Sequence, residues 1–336
     1  MYYTLKQFLN YILILFVMAF ALNCADSKQE NKNEDNKNNA ENLTSDTPEI
    51  FAPNNDPSAR RNDETPEDYQ LRIAGENNVK KRTTVNYLYD LNGNLMDEGG
   101  IAEEVEFDKK GRRLTHTVYR GIDKINYTWK FKYDDNDNLI EFESFDRNNV
   151  LQLKRNMTYN EAGKLVESTE IYTTKMNEIN YIYNYNDEGL LINTIGTSSK
   201  GEKSSEKKEY NSEGKVSKII LIDQNGSVTA ERTMQYNSSG NISKEILKYP
   251  NQPEQVTTYG YNGYYANEII TPLQKKVFEY NKNGNVTVDM MFNSAGGRQH
   301  KYIIEYDEKG LMTKKTRYDG KDKPALIIEY EYEFYK

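Results

Sequence analysis

The chain has 336 residues, of which 36% are hydrophobic and 28 are tyrosine, and its formal net charge is −8 at pH 7. This composition is too polar for a large compact core, and it favours strands that bury one face, where tyrosine is a preferred residue. Twelve acidic and five basic residues lie between residues 25 and 70, so the remainder is nearly neutral and has no electrostatic footprint for nucleic acid.

Residues 1–23 have the pattern of an export signal. Lys6 precedes an apolar run from Tyr11 to Leu22, and a helix of that length spans about 18 Å, well short of a bilayer core of roughly 30 Å. The run ends at Asn23-Cys24 and resembles a bacterial lipoprotein signal box, in which Cys24 would be the acylated residue. The alternative is an ordinary secretory leader followed by a chance cysteine.

The lipoprotein resemblance implies an N-terminus that carries three acyl chains, and two or more chains hold a protein firmly to a membrane. Ala25 follows the lipidated residue, which favours the outer membrane over the inner one. Because Cys24 is the only cysteine, no intrachain disulfide can form. We therefore expect an exported protein of the cell envelope that is attached to the membrane through this N-terminal lipid.

Residues 24–65 are rich in Asn, Asp, Glu, Lys and Ser, and they cannot bury enough apolar surface to offset the entropy of ordering. The sequence predicts a disordered acidic tether here. Thr65-Pro66-Glu67-Asp68 then supplies an N-cap, a first-turn proline and two acids, and Gly75 supplies a stop. This pattern predicts a short capping helix over residues 66–75.

Residues 76–336 form the predicted repeat domain. One short motif, Tyr-(Asn/Asp)-x-x-Gly-x-aliphatic, recurs in it from residue 89 to residue 312, as in residues 280–286. Its steps of 26, 26, 25 and 26 residues between residues 133 and 236 indicate a repeat architecture. The tyrosines that lead these turns are Tyr133, Tyr159, Tyr185, Tyr210, Tyr236, Tyr280 and Tyr306. The matching glycines are Gly163, Gly189, Gly214, Gly240, Gly284 and Gly310.

The residues before each turn alternate in character, which predicts strands, and the Asn/Asp and Gly positions predict type I turns that end in a left-handed residue. Asp137 takes the glycine position in the unit led by Tyr133. Each repeat is thus predicted to be a β-hairpin. Pro250, Pro253 and Pro272 cannot lie in a central ladder, so they predict a loop or an irregular edge.

These residues resemble the rearrangement-hotspot, or YD, repeat over about residues 87–312. The resemblance implies an all-β fold in which tandem antiparallel β-hairpin repeats form one long twisted sheet. Because open sheets of more than about ten strands curl or split, we expect the sheet to curl into an open or partly closed shell. Large members of the family enclose a C-terminal toxin, but residues 329–336 are still repeat-like, so the toxin-delivery role does not carry over.

No motif for catalysis, a cofactor or a metal is evident. His116 and His300 are far apart and are interpreted as surface residues. The string from Asp134 to Asn138 begins like a calcium loop, but Leu139 stands where that loop needs glycine, so an acidic repeat turn is the better interpretation. The paired carboxylates Glu141 and Glu143 are interpreted as ordinary surface charges.

Aromatic rows are the remaining candidate. Residues that could stack on a sugar or a partner are Trp129, Tyr181, Tyr183, Tyr330 and Tyr332, although tyrosines at repeat positions also serve as cross-strand packing. We therefore hypothesise a non-catalytic binding or structural module that presents a β-sheet surface to a protein or glycan. The alternatives are a carrier that shelters a hydrophobic ligand or lipid on the concave face of the sheet, and an enzyme of unrecognised type.

Overall fold

The computed structural model describes residues 60–61, 64–90, 93–96, 99–121, 124–174 and 176–336. The predicted leader, Cys24 and most of the predicted tether lie outside these ranges. Within them the chain forms one α-helix, α1 (Pro66–Glu76), and twenty β-strands. The strands are β1 (Val79–Leu88), β2 (Gly100–Phe107), β3 (Arg113–Tyr119), β4 (Ile125–Tyr133), β5 (Leu139–Asp146), β6 (Leu151–Tyr159), β7 (Leu165–Tyr172), β8 (Asn177–Tyr185), β9 (Leu191–Ser198), β10 (Lys203–Tyr210), β11 (Val216–Ile222), β12 (Val228–Tyr236), β13 (Ile242–Lys248), β14 (Gln255–Asn262), β15 (Tyr265–Ile270), β16 (Gln274–Tyr280), β17 (Val286–Asn293), β18 (Arg298–Tyr306), β19 (Met312–Asp319) and β20 (Pro324–Phe334).

The strands form one closed antiparallel β-barrel. Each strand pairs with the next along the chain, and β20 pairs back with β1, from Val79 opposite Phe334 to Leu88 opposite Leu326. The all-β prediction is correct, but the prediction of an open or partly closed shell is wrong. In an open sheet, β1 and β20 would each have one edge with unpaired backbone N–H and C=O groups. Here these two edges pair with each other along the eleven-residue β20.

From β4 to β19 the tyrosine-led turns connect each even-numbered strand to the next odd-numbered one, whereas Phe107 leads the turn after β2. In the turn between β6 and β7, the side-chain oxygen of Asn160 accepts the backbone N–H of Lys164 at 2.9 Å, and Gly163 has a φ of +70°. Asp137, which replaces glycine, has a φ of +67°. Since this conformation suits glycine best and Asp better than most residues, the local sequence accounts for every such turn.

The three prolines lie between strands rather than within them. Pro250 and Pro253 fall between β13 and β14, and Pro272 falls between β15 and β16. The strand pairing nevertheless continues through β13, β14, β15 and β16. The predicted loop is therefore present, but it does not create an edge in the sheet.

Alternate residues of several strands differ in exposure, which identifies the inner wall of the barrel. In β8, Tyr181 and Tyr183 are half-buried, whereas Asn180 and Ile182 are exposed. Cross-strand register carries this face around the ring, and the buried strand residues lie on it, with Thr316 as an exception. Because the concave face of a closed single sheet is the shielded one, these tyrosines line the interior.

Helix α1 lies across part of one mouth of the barrel, where the tyrosine-led turns meet. The Thr65 side chain accepts the Asp68 N–H at 3.1 Å and completes the predicted N-terminal cap. Tyr69 and Ile73 are 1% exposed and pack with Val105 and Phe107 of β2. Within the described ranges, no helix has the length and apolar character needed to cross a bilayer.

Candidate functional site

The ring of strands encloses a space wider than its own side chains can fill. Twenty strands spaced about 4.8 Å apart and tilted by about 40° give a circumference whose circular diameter is roughly 40 Å. Inward-facing aromatic residues such as Trp129, Tyr181 and Tyr330 remain only half-buried, so solvent-accessible space lies in front of them. The candidate site is therefore the inner wall of the barrel.

All five aromatic residues predicted as a binding surface face this interior rather than the outside. The register places Trp129 on β4, Tyr181 and Tyr183 on β8, and Tyr330 and Tyr332 on β20. They do not form one patch, because several strands separate these three positions around the ring. Inward orientation could not be deduced from sequence, since alternation defines two faces without saying which one is enclosed.

The first inner cluster surrounds Trp129. Its ring centroid lies 4.9 Å from that of Tyr127, 5.0 Å from that of His116 and 6.5 Å from that of Phe142. The Nε2 atom of His116 is 3.5 Å from a carboxylate oxygen of Glu103, and His116 lowers the pKa of that carboxyl group against the opposing effect of burial.

Both histidines, interpreted from sequence as surface residues, lie on the inner face of the barrel. The side chain of His116 is only 12% exposed, and burial lowers the pKa of His300. Both face inward because they occupy the same alternate positions as the inner tyrosines, His116 opposite Trp129 and His300 opposite Met291.

The second inner cluster, on β6, β7 and β8, is ionic and phenolic. Arg155 forms an ion pair with Glu170, which is 8% exposed. The hydroxyl of Tyr172 donates to the Glu170 carboxylate at 2.7 Å, and the hydroxyls of Ser168 and Tyr183 are 3.0 Å apart. Polar atoms buried in this way must be hydrogen-bonded or paired, and here one carboxylate serves an arginine and a phenol.

The inner phenols remain protonated at neutral pH. Burial raises the pKa of Tyr172 and of Tyr181, and the nearby Glu170 carboxylate raises both further. Burial also raises the pKa of Tyr133, Tyr159 and Tyr185 to about 12. These side chains therefore offer an apolar ring and an O–H group rather than a phenolate nucleophile or base.

The repeat tyrosines have a structural role that sequence reasoning missed. The hydroxyl of Tyr185 donates to the carbonyl oxygen of Leu165 at 2.8 Å, which is the first strand residue after the preceding tyrosine-led turn. The same bond recurs from Tyr159, Tyr210, Tyr236, Tyr261, Tyr306 and Tyr332. In these bonds the acceptor lies 19 or 20 residues before the tyrosine.

The two acidic motifs noted in the sequence form a turn and a set of ion pairs on the outer wall. Asp134 accepts the backbone N–H groups of Asn136 and Asn138 at 3.0 and 2.8 Å, as expected for an acidic repeat turn. Glu141 and Glu143 both bind the Nζ atom of Lys154, at 2.7 and 3.1 Å, on the outer wall. In the described part of the chain, no group of three His, Cys, Asp or Glu residues could hold a metal ion.

No protein-family model and no curated protein matches the chain. Solved structures that match include a porin-like protein from Bacteroides uniformis ATCC 8492, with 12% identity, a TM-score of 0.35 and coverage of 76% of this chain and 97% of that one. A porin-like protein from Bacteroides vulgatus ATCC 8482 matches with 11% identity, a TM-score of 0.29 and coverage of 76% and 98%. The TcdB2-TccC3-Cdc42 structure matches with 12% identity, a TM-score of 0.32 and coverage of 67% of this chain but only 14% of that one. These similarities are too low to indicate a shared function.

Proposed function

We propose that this chain is a non-catalytic binding protein of the cell envelope, anchored by lipid at Cys24, whose barrel holds a glycan against its inner wall. The supporting observation is that this wall combines aromatic rings with ionic and phenolic hydrogen-bonding groups, as at Trp129 and at Glu170. A sugar ring has C–H faces that pack on aromatic rings and a rim of hydroxyls that bind carboxylate, guanidinium and phenol groups.

The same wall argues against the hydrophobic-ligand or lipid carrier. An acyl chain in the barrel would remove the remaining water from ion pairs that are already largely shielded, such as Arg155 with Glu170, and Lys208 with Glu206 at 3.1 Å. Desolvating charges without offering hydrogen bonds is costly. A polar ligand replaces the lost water with its own hydroxyls, so the chemistry of the interior favours it.

The charged residues of the outer wall favour a barrel that lies in water beside the membrane rather than within the lipid. This wall carries ion pairs between neighbouring strands, including Lys154 with Glu141, and Lys218 with Glu231 at 3.0 Å. A lysine facing lipid near the bilayer midplane costs about 2–4 kcal/mol. A closed barrel with an even number of strands is compatible with the outer membrane and the cell envelope, and we propose that the lipid on Cys24 makes the attachment.

The ligand is tested with the full-length protein in detergent. Trp129 is the only tryptophan, so its fluorescence reports entry of a probe into the barrel. We expect an emission change on titration with neutral and acidic oligosaccharides and none with a long-chain fatty acid. Saturable binding of the fatty acid would refute the polar site, and cleavage of an oligosaccharide would refute the non-catalytic role.

Matched variants identify the face involved. Tyr181→Ala removes an inward ring from β8, and Asn180→Ala changes its exposed outer neighbour. We expect the inner variant to weaken saccharide binding about tenfold and the outer one to leave it unchanged. Equal effects of the two variants would place the ligand on the outer wall.

The anchor is tested separately. Because Cys24 is the sole cysteine, metabolic labelling with a fatty acid has one candidate site, and Cys24→Ser should abolish both the label and membrane attachment. Attachment that survives the substitution would refute the lipid anchor without affecting the barrel.

A further inference from the structure

On most of the inner wall, each basic side chain lies near one acidic side chain. The two are either on adjacent strands or two residues apart on the same strand. The register and the ion pairs give four such sets, namely Arg82 with Glu103, Arg155 with Glu170, Lys208 with Glu206, and Arg232 with Glu245. Such pairing is the usual condition for keeping charges in a shielded place.

The wall formed by β16, β17, β18 and β19 breaks this balance. Lys276 lies on β16, and Lys315 and Arg317 lie on β19, all three on the inner face. Asp289 on β17 is the acid among them, opposite Tyr302 of β18. In the described ranges, none of the three cations has a carboxylate oxygen within the 4.0 Å that defines an ion pair. We call Lys276, Lys315, Arg317 and His300 the basic panel.

The groups of the basic panel affect one another. Burial lowers the pKa of Lys315, Lys276 lowers it further, and Asp289 opposes the change. Burial also lowers the pKa of His300, as do the charges of Arg317, Lys276 and Lys315. Lys276, Lys315 and Arg317 therefore lie close enough for their charges to act on the same inward-facing groups, and Asp289 is the acid that opposes them.

Polar side-chain atoms of the basic panel and of the nearby Asp289 also lack hydrogen-bond partners within the described ranges. The buried Nε atom of Arg317 and the buried Oδ1 atom of Asp289 have no hydrogen-bond partner among the described residues. The Nζ atom of Lys315 lies 4.2 Å from the centroid of the Tyr302 ring, a cation–π contact that leaves its N–H donors free for a ligand. The other nearby acid, Asp319, accepts the backbone N–H groups of Lys321 and Lys323 in its own turn.

We propose that the basic panel binds an anionic group, and that the glycan held in the barrel is therefore an acidic saccharide. This inference rests on the proposed function. A carboxylate, sulfate or phosphate group would supply the missing negative charge, and the planar guanidinium of Arg317 can bind two of its oxygens at once. Aromatic rings elsewhere on the wall would carry the sugar rings.

Calorimetry on the full-length protein tests the inference with two matched probes, an oligogalacturonate and its fully methyl-esterified form. We expect the acid to bind about tenfold more tightly than the ester and to lose that advantage in Lys315→Gln and in Arg317→Gln. Lys314→Gln is the control, since Lys314 is adjacent on β19 and faces outward. Because burial disfavours the charge of Lys315, Lys315→Gln should fold at least as well as the unmodified protein.

Each outcome decides one proposal. Equal binding of acid and ester refutes the basic panel and leaves the glycan function standing. If neither oligosaccharide binds, the glycan function is refuted, and inorganic phosphate then tests the panel alone. Phosphate binding that is lost in Lys315→Gln but kept in Lys314→Gln supports an anion site, and no phosphate binding by the unmodified protein overturns it.

Discussion

A single side chain type, tyrosine, links neighbouring repeats in this barrel. Seven of these tyrosines place their rings on the shielded inner wall and donate their hydroxyls to a backbone carbonyl of the preceding repeat, as Tyr306 does with Val286 at 2.9 Å. Phenylalanine would bury the same ring but leave the carbonyl oxygen without this donor. The amphipathic character of tyrosine therefore satisfies both the packing and the polar group beneath it.

The first prediction concerns this hydroxyl. Tyr185→Phe removes the bond to Leu165 and should reduce the free energy of unfolding by about 1 kcal/mol, the net value of a typical hydrogen bond. Tyr318→Phe is the control, because Tyr318 lies on the outer face of β19 and its hydroxyl has no hydrogen-bond partner among the described residues. Denaturant unfolding measures both, and equal losses would contradict the role assigned to the repeat tyrosines.

The positions of these tyrosines could be predicted from sequence, but their partners could not. Tyr185 and Gly189 mark a turn through chemistry that is local to a few residues. The acceptor of the Tyr185 hydroxyl is a main-chain oxygen of Leu165, and a main-chain atom leaves no trace in residue identity. The inward orientation of Trp129 could not be predicted either. The alternation of residues along a strand defines two faces but does not show which of them the barrel encloses.

At the scale of the element, the turn is the unit that the sequence specifies most directly. The side chain of Asn211 accepts the backbone N–H of Lys215 at 2.9 Å, and Gly214 has a φ of +71°. Hairpins of this kind need one residue in the left-handed conformation, and the turn then fixes the register of both strands. Helix α1 was predictable for the same reason, since its cap lies within the segment from Thr65 to Asp68.

The second prediction tests this conformational requirement. Gly214→Ala should cost about 1 kcal/mol of stability, because a Cβ atom strains the left-handed backbone although nothing lies within 4 Å of it. Gly100→Ala is a matched control, since Gly100 also has open space around it but no positive φ. Thermal unfolding should separate the two variants, and an unchanged midpoint for Gly214→Ala would show that the turn tolerates a side chain.

At the scale of the molecule, the inner tyrosines make stability depend on alkaline pH. Burial raises the pKa of Tyr133, Tyr159 and Tyr185 to about 12, above the ordinary value near 10. The unfolded chain therefore releases these protons first. Their contribution to stability is complete below about pH 10 and is lost as the pH rises through about 12.

The third prediction follows from this loss of stability at alkaline pH. The denaturant midpoint should fall between about pH 10 and about pH 12, and tyrosinate absorbance should rise in two phases. Outward tyrosines should ionise first, and inner ones should ionise together with loss of the barrel's circular dichroism. A single phase near pH 10 in the folded protein, covering all 28 tyrosines, would contradict an inner wall lined by shielded phenols.

Closure of the ring is the feature that local sequence could not predict. Every hairpin is specified by its own turn, but the pairing of β1 with β20 joins residues such as Thr84 and Tyr330, which are separated by most of the chain. Whether the last strand meets the first depends on the accumulated twist and tilt of all the strands between them. The repeat resemblance predicted a curled sheet, and family membership itself stays a prediction.

The fourth prediction tests closure directly with proline. Successive residues of a strand direct their N–H groups to opposite neighbours, so an edge strand tolerates proline at one of two adjacent positions. In the closed barrel β20 has partners on both sides, and Ile327 pairs with both Thr316 and Tyr87. Ile327→Pro and Ile328→Pro should therefore each destabilise the protein beyond the matching alanine variants by at least about 1 kcal/mol.

Strand β11 provides the internal standard for this test. Ile219 and Ile220 are adjacent there and are paired on both sides, with β10 and with β12, so their proline variants report the cost within a fully paired strand. Equal losses in β20 and β11, measured from denaturant midpoints, are expected for a closed ring because no strand in it is an edge. If one of the two β20 prolines were tolerated while both β11 prolines were not, the seam between β1 and β20 would be open in solution, and the inner wall would not be enclosed.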